Sequence, residues 1–168
     1  MTLAVTSYEL SVFLHITAVM VGFGATFAES IMFPVAMKLN VRHLPYVHRL
    51  QLAINQYFAS PALLVVLATG IYQVSESEAW EIGDGWISAT LTIVIVISAL
   101  LGGYFIPADR RLGPMVQREI DAAGPGAISL SELSPEYQRQ GRMEGIVGTL
   151  VGILLIVAVY LMVTKPGV

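Results

Sequence analysis

The chain has no cysteine. That absence excludes disulfides, thiolate metal sites, cysteine nucleophiles and covalent attachment of c-type haem together. Charge is also scarce: 12% of the 168 residues are Asp, Glu, Lys or Arg, about half the roughly 25% of a soluble domain. With a net charge of −3 and no long basic run, the chain lacks what tracks a phosphate backbone, which excludes nucleic acid as a partner. Motif chemistry is missing too. There is no Glu-x-x-His pair for a di-iron bundle, no His-Glu-x-x-His zinc helix and no phosphate-gripping glycine loop. Nothing places a serine and a histidine as nucleophile and base. No protein metal site is expected, and redox chemistry has only histidine, methionine, tyrosine or a bound cofactor to work with.

What the chain does have is apolar length. Hydrophobic residues make up 55% and the mean hydropathy is +0.72. Four runs are long enough for a hydrocarbon core of about 30 Å, which takes roughly 20 residues: Tyr8 to Met37, Gln51 to Val74, Trp86 to Ile106 and Gly145 to Val163. None alternates as a strand would. The expected fold is all-α, a polytopic membrane protein built as an antiparallel bundle of four transmembrane helices, forming one domain over residues 1–168. The first run is read as a retained helix, because no Lys or Arg precedes Lys38 as a signal peptide requires.

Basic residues set the expected orientation. Lys38, Arg42, Arg49, Arg110, Arg111, Arg118, Arg139 and Arg142 fall on one side and only Lys165 on the other, which puts both termini outside the cytoplasm of a bacterial inner membrane. Spans one and two should be joined by five to ten residues around Asn40 to Pro45. A cytoplasmic loop over about 107–134 should carry a short surface helix at Leu112 to Asp121, ended by Gly124-Pro125-Gly126. Ser134-Pro135 has the form of an N-cap followed by proline at the first helical position. Trp80 and Trp86 suit an interfacial belt. Pro61 should kink span two and free the carbonyl of Tyr57. Gly141, Gly145, Gly148 and Gly152, with Gly22, Gly24, Gly102 and Gly103, read as packing seams, or as room for a flat cofactor ring, a lipid or a dimer contact.

Ionisable residues inside spans are costly and face the bundle interior. Here they are His15 and Glu29, with Glu144 at the mouth of helix four. His15 and Glu29 share a helix face but lie about 21 Å apart along the axis, so they belong to different sites. His48, Gln51 and Asn55 fall on one helical stripe. With Glu29, and with Arg142 or Glu144 approaching from helix four, they form an expected internal polar cluster. It reads either as a proton, ion or small-polar-substrate site or as an interhelical clamp. His15 reads either as a hydrogen-bond donor to a neighbouring helix or as an axial ligand of haem b. His43 and His48 lie across the membrane from it, so the sixth position would fall to Met20 or Met162, or the haem would be shared in a homodimer.

Leu14-His15-Ile16, Pro61 followed by Thr69-Gly70, Trp86-Ile87, and Pro107-x-x-Arg110-Arg111-Leu112 together resemble an uncharacterised family of predicted four-helix bacterial membrane proteins. That family is similar in turn to the HemJ protoporphyrinogen oxidases and the CopD copper-resistance proteins. His15 occupies the place of the helix-one histidine implicated in haem binding in the HemJ group. Gly22 to Gly24, Glu29 to Pro34, and Thr90 and Thr92 replace that group's downstream aromatic, Pro-Arg and lysine features. The resemblance thus implies a haem-binding or respiratory-accessory role and not protoporphyrinogen oxidation. Two other roles fit the same residues: a non-enzymatic subunit or assembly factor of a larger membrane complex, docking through its basic and acidic loops, or a small dimeric transporter around Glu29, Asn55 and Pro61.

Overall fold

A computed structural model describes residues 5–126 and 128–167, so the two ends of the expected 1–168 domain lie outside the described residues. Helix α1 runs Ser7–Leu39. It starts at a reciprocal cap, in which Glu9 N–H donates to Thr6 Oγ1 (3.2 Å) and Thr6 N–H to the Glu9 carboxylate (2.9 Å). It ends at Asn40, whose extended backbone reverses the chain while its side chain accepts from Arg42 N–H at 2.9 Å.

The second span is longer than its apolar run. A 3-10 turn, Val41–His43, leads into α2 (Leu44–Ile54), a π turn (Asn55–Ala59) and α3 (Ser60–Ser75). The expected loop around Asn40 to Pro45 is thereby corrected. Pro45 lies in the first turn of α2, where its fixed φ and missing donor suit a helix start. The third span likewise runs through α4 (Gly85–Leu100), a π turn (Leu101–Phe105) and α5 (Ile106–Ala122). Residues 107–122 are therefore helix continuous with the span, and the connecting segment is confined to 123–134.

Both π turns precede a proline, Pro61 or Pro107. Ser60 N–H reaches back five residues to Asn55 O, and Ile106 N–H to Leu101 O. The wider turn moves the preceding carbonyls away from the proline ring, so the helix continues through a residue that lacks a donor. At Pro61, where a kink is expected, the span is widened into this π turn. Helix α6 (Pro135–Thr164) starts as its Ser-Pro pair anticipates, with Tyr137 N–H donating to Ser134 Oγ at 3.2 Å.

The four helical rods, Ser7–Leu39, Val41–Ser75, Gly85–Ala122 and Pro135–Thr164, are each long and apolar enough to cross a membrane. There is no strand among the described residues. The protein is thus an all-α membrane bundle, with α1 against α3, α2 against α5 and α4 against α6. Rods of 35 and 38 residues exceed the roughly 20 that a bilayer needs. Their surplus builds a second layer at the basic end, where Val41, Leu44, Val47, Leu112, Val116, Ile120, Leu133 and Tyr137 form a core. Arg42 ties this end down by donating to the carbonyls of Gly124 and Gly126. At the other end Lys165 Nζ lies 3.7 Å from the Trp80 ring centre, and Trp80 meets Trp86 edge-on. These tryptophans clasp a cation.

A cavity with a polar floor as candidate functional site

Glycine placement determines where the bundle is open. A Cβ added to Gly141, Gly145, Gly148 or Gly152 would meet nothing within 4 Å, nor would one on Gly24, Gly102 or Gly103. The expected seams on helices three and four are therefore not close contacts. The α6 glycines instead line a cavity of about 800 Å³ between α6 and α1, with walls from Ala62, Val66, Val94 and Ile97 on the other helices. Close approach occurs elsewhere. A Cβ on Gly113 would lie 3.3 Å from His48 Cβ, and one on Gly70 the same distance from the His15 ring; on Gly22 it would stand at 3.6 Å from Ala62. Gly113 brings α5 against α2, and Gly70 seats the His15 imidazole.

The polar floor of this cavity lies toward the basic end. Glu29 of α1, Gln51 of α2, Asn55 of the first π turn, Asp109 of α5, and Tyr137, Arg142 and Glu144 of α6 all line it. The expected cluster of Glu29, His48, Gln51, Asn55, Arg142 and Glu144 is thus largely brought together, but it divides into two chemically different parts.

The first part is satisfied. His48 is fully buried; its Nδ1 pairs with Asp109 Oδ1 at 2.9 Å and its Nε2 with Tyr137 Oη at 3.0 Å. One imidazole therefore joins α2, α5 and α6. Asp109 and Tyr137 were missing from the expected set, yet their segments carry a signal. Asp109 precedes Leu112, Val116 and Ile120 on one buried stripe, and a carboxylate on such a stripe needs a partner.

The second part is open. Glu29 Oε1, Gln51 Oε1 and Glu144 Oε1 are buried and have no hydrogen-bond partner. Asn55, only 4% exposed, makes no side-chain hydrogen bond among the described residues. Arg142 is exposed at the rim. The described salt bridges are His48–Asp109 and the surface pair Arg111–Glu136, so no lysine or arginine neutralises Glu29 or Glu144 by direct pairing. One ligand atom from each of His48, Asp109 and Glu144 lies within 4.8 Å of the other two.

The expected haem residues are not gathered. His15 Nδ1 lies 2.9 Å from Thr69 Oγ1, which itself donates to Val65 O at 2.6 Å. The hydroxyl therefore accepts from Nδ1–H, which assigns Nε2 as the free lone pair. Met20 is 70% exposed on the outer face. Met162 lines the cavity, whereas His15 is not among its lining residues.

The family model described as "Predicted integral membrane protein (DUF2269)" matches residues 9–166. The chain belongs to that family, and the helices of all four spans fall largely within the match. No curated protein and no solved structure matches the chain.

Proposed function

We propose that this DUF2269 protein binds an amphipathic small molecule from the lipid phase, seating a hydrogen-bond-donating polar end against Glu29, Gln51, Asn55 and Glu144. The reading is carried by three buried, unpartnered acceptor oxygens on residues that line one cavity. Each such group costs about 1–3 kcal/mol when left unpaired. A ligand bearing hydroxyl or amine donors supplies what the floor lacks. The walls suit its apolar part, because the glycine face of α6 stands opposite Phe23, Phe27 and Phe33 of α1, leaving a slot for a ring or chain. A cavity of about 800 Å³ falls in the usual range for small-molecule sites, roughly 300–1,000 Å³. Ionisable residues at membrane depth commonly mark substrate or proton paths. An isoprenoid-type quinol has both required halves, and with it the protein would serve a respiratory-accessory role. The positive-inside rule puts this floor on the cytoplasmic side of a bacterial inner membrane, so the ligand enters from that leaflet.

The test uses the full chain in nanodiscs, with decylubiquinol, dodecylamine and dodecanoate as probes and the melting temperature as readout. The quinol or the amine is expected to stabilise the protein saturably. Dodecanoate, an acceptor-only anion facing carboxylates, is not. Glu29→Gln should weaken the productive probe at least tenfold. Unchanged melting with all three probes, or equal affinity in Glu29→Gln, overturns the reading.

One observation favours a second reading, haem b held through His15. Its Nδ1–H is anchored on Thr69, which orients Nε2 as a metal ligand is usually oriented. With Met20 facing outward and Met162 in the cavity, such a haem would be shared with a second copy of the chain. A Soret band that disappears in His15→Ala supports this; no band in protein expressed with haem supply removes it.

A further inference from the structure

We propose that His48, Asp109 and Glu144 form a binding site for one divalent transition-metal ion of the Mn²⁺ or Fe²⁺ class at the cavity floor. The inference does not rest on which molecule fills the apolar part of the cavity.

The geometry is close to that of a coordination sphere. Two ligands about 2.1 Å from a metal and at right angles stand about 3.0 Å apart, and opposite ligands about 4.2 Å. His48 Nδ1 and Asp109 Oδ1 are 2.9 Å apart, the spacing of adjacent ligands. The three ligand atoms all lie within 4.8 Å of one another, so an inward movement of the Glu144 carboxylate gathers them on one ion. With Nδ1 ligating, the imidazole proton resides on Nε2 and is donated to Tyr137 Oη, already at 3.0 Å. This is the outer hydrogen bond that ligating histidines normally make.

Charge and pairing point the same way. Buried carboxylates require a cation or a metal; among the described residues Asp109 is paired with the His48 imidazole alone, and Glu144 has no salt-bridge partner. Glu144 Oε1 is buried without any partner. Independently, the Asn55 side chain is nearly fully buried and lines the same cavity. Imidazole with carboxylate oxygens, and no sulfur, selects a borderline-to-hard ion. Asp109 and Glu144 line the cavity, so coordination positions that the three side chains leave unfilled are reached from it.

The experiment is a titration of chelator-treated full-length protein with MnCl₂, reading the six-line EPR signal of free aquo Mn²⁺ with no amphipathic probe present. One Mn²⁺ per chain should be withdrawn from the signal. Glu144→Gln should weaken binding at least tenfold, and Glu136→Gln, on the surface, should bind as wild type does. Glu144→Gln carries the decision because its free oxygen supports no neighbour; Asp109→Asn, checked by its melting curve, is the second variant. Wild-type protein that leaves Mn²⁺ free, or Glu144→Gln binding equally well, overturns the inference. Mn²⁺ binding without any amphipathic probe supports this site alone, and the melting test with the three amphipathic probes decides the ligand reading separately, so the failure of either is told apart from the failure of the other.

Discussion

His48 and Glu29 show how similar buried polar groups take different roles. His48 spends both ring nitrogens on Asp109 and Tyr137, so in the metal-free protein it is a clamp between three helices. Removing one partner of a buried pair leaves the other charge uncompensated, typically about 3–5 kcal/mol. His48→Ala should therefore lose stability of that order in SDS-induced unfolding. Tyr137→Phe removes a single hydrogen bond, and a loss of about 1–2 kcal/mol is expected. Glu29 supports nothing comparable, since its Oε1 has no partner. Glu29→Gln should hold or raise stability while ligand binding falls. A His48→Ala protein unfolding at the wild-type SDS fraction would show that the imidazole is no clamp, and a large stability loss in Glu29→Gln would move that residue from the site to the scaffold.

Among the helices, the glycines of α6 separate a seam from a wall. Because a Cβ on Gly148 meets nothing within 4 Å, Gly148→Ala should be neutral or gain up to about 1 kcal/mol from helix propensity. Gly148→Leu should fold yet lose the amphipathic probes, because the side chain enters the cavity. A seam would behave in the opposite order, with even alanine destabilising; unfolding curves of the two variants decide between them. Spacing alone could not make this distinction. A small-xxx-small pattern states that room exists but not whether a neighbouring helix fills it. The same limit explains the helix boundaries. Hydropathy identified the four apolar runs, but it stops where polarity begins, and Leu44–Ile54 and Ile106–Ala122 continue as amphipathic helices stabilised by each other. Pro45, Pro61 and Pro107 suggested breaks. Their actual effects depend on first-turn placement and on π turns, which are set by hydrogen-bond register and not by residue identity. Glu29, Gln51, Asn55 and Glu144 were legible because polar residues in apolar runs stand out. Asp109 lay in a segment read as loop and Tyr137 in the first turn of helix four, ahead of its apolar run, where polar residues attract no notice.

The bundle as a whole is asymmetric along its axis, and the asymmetry gives its orientation a clean test. One end carries Lys38, Arg42, Arg49, Arg110, Arg111, Arg118, Arg139 and Arg142, together with the extra packed layer and the cavity floor. The other carries Lys165 between Trp80 and Trp86 and the acidic Glu76, Glu78, Glu81 and Asp84. Lysine and arginine are retained on the cytoplasmic side during insertion, so the basic end should face the cytoplasm. The absence of native cysteine means that one introduced thiol is the only thiol. Glu78→Cys and Ala123→Cys occupy exposed positions in the two connecting segments at opposite ends. In intact spheroplasts of a bacterial host, a membrane-impermeant maleimide should label Glu78→Cys and spare Ala123→Cys, which should react only after lysis. The reverse pattern would invert the bundle, place the Glu29–Glu144 floor toward the outer leaflet, and require the ligand to enter from that side.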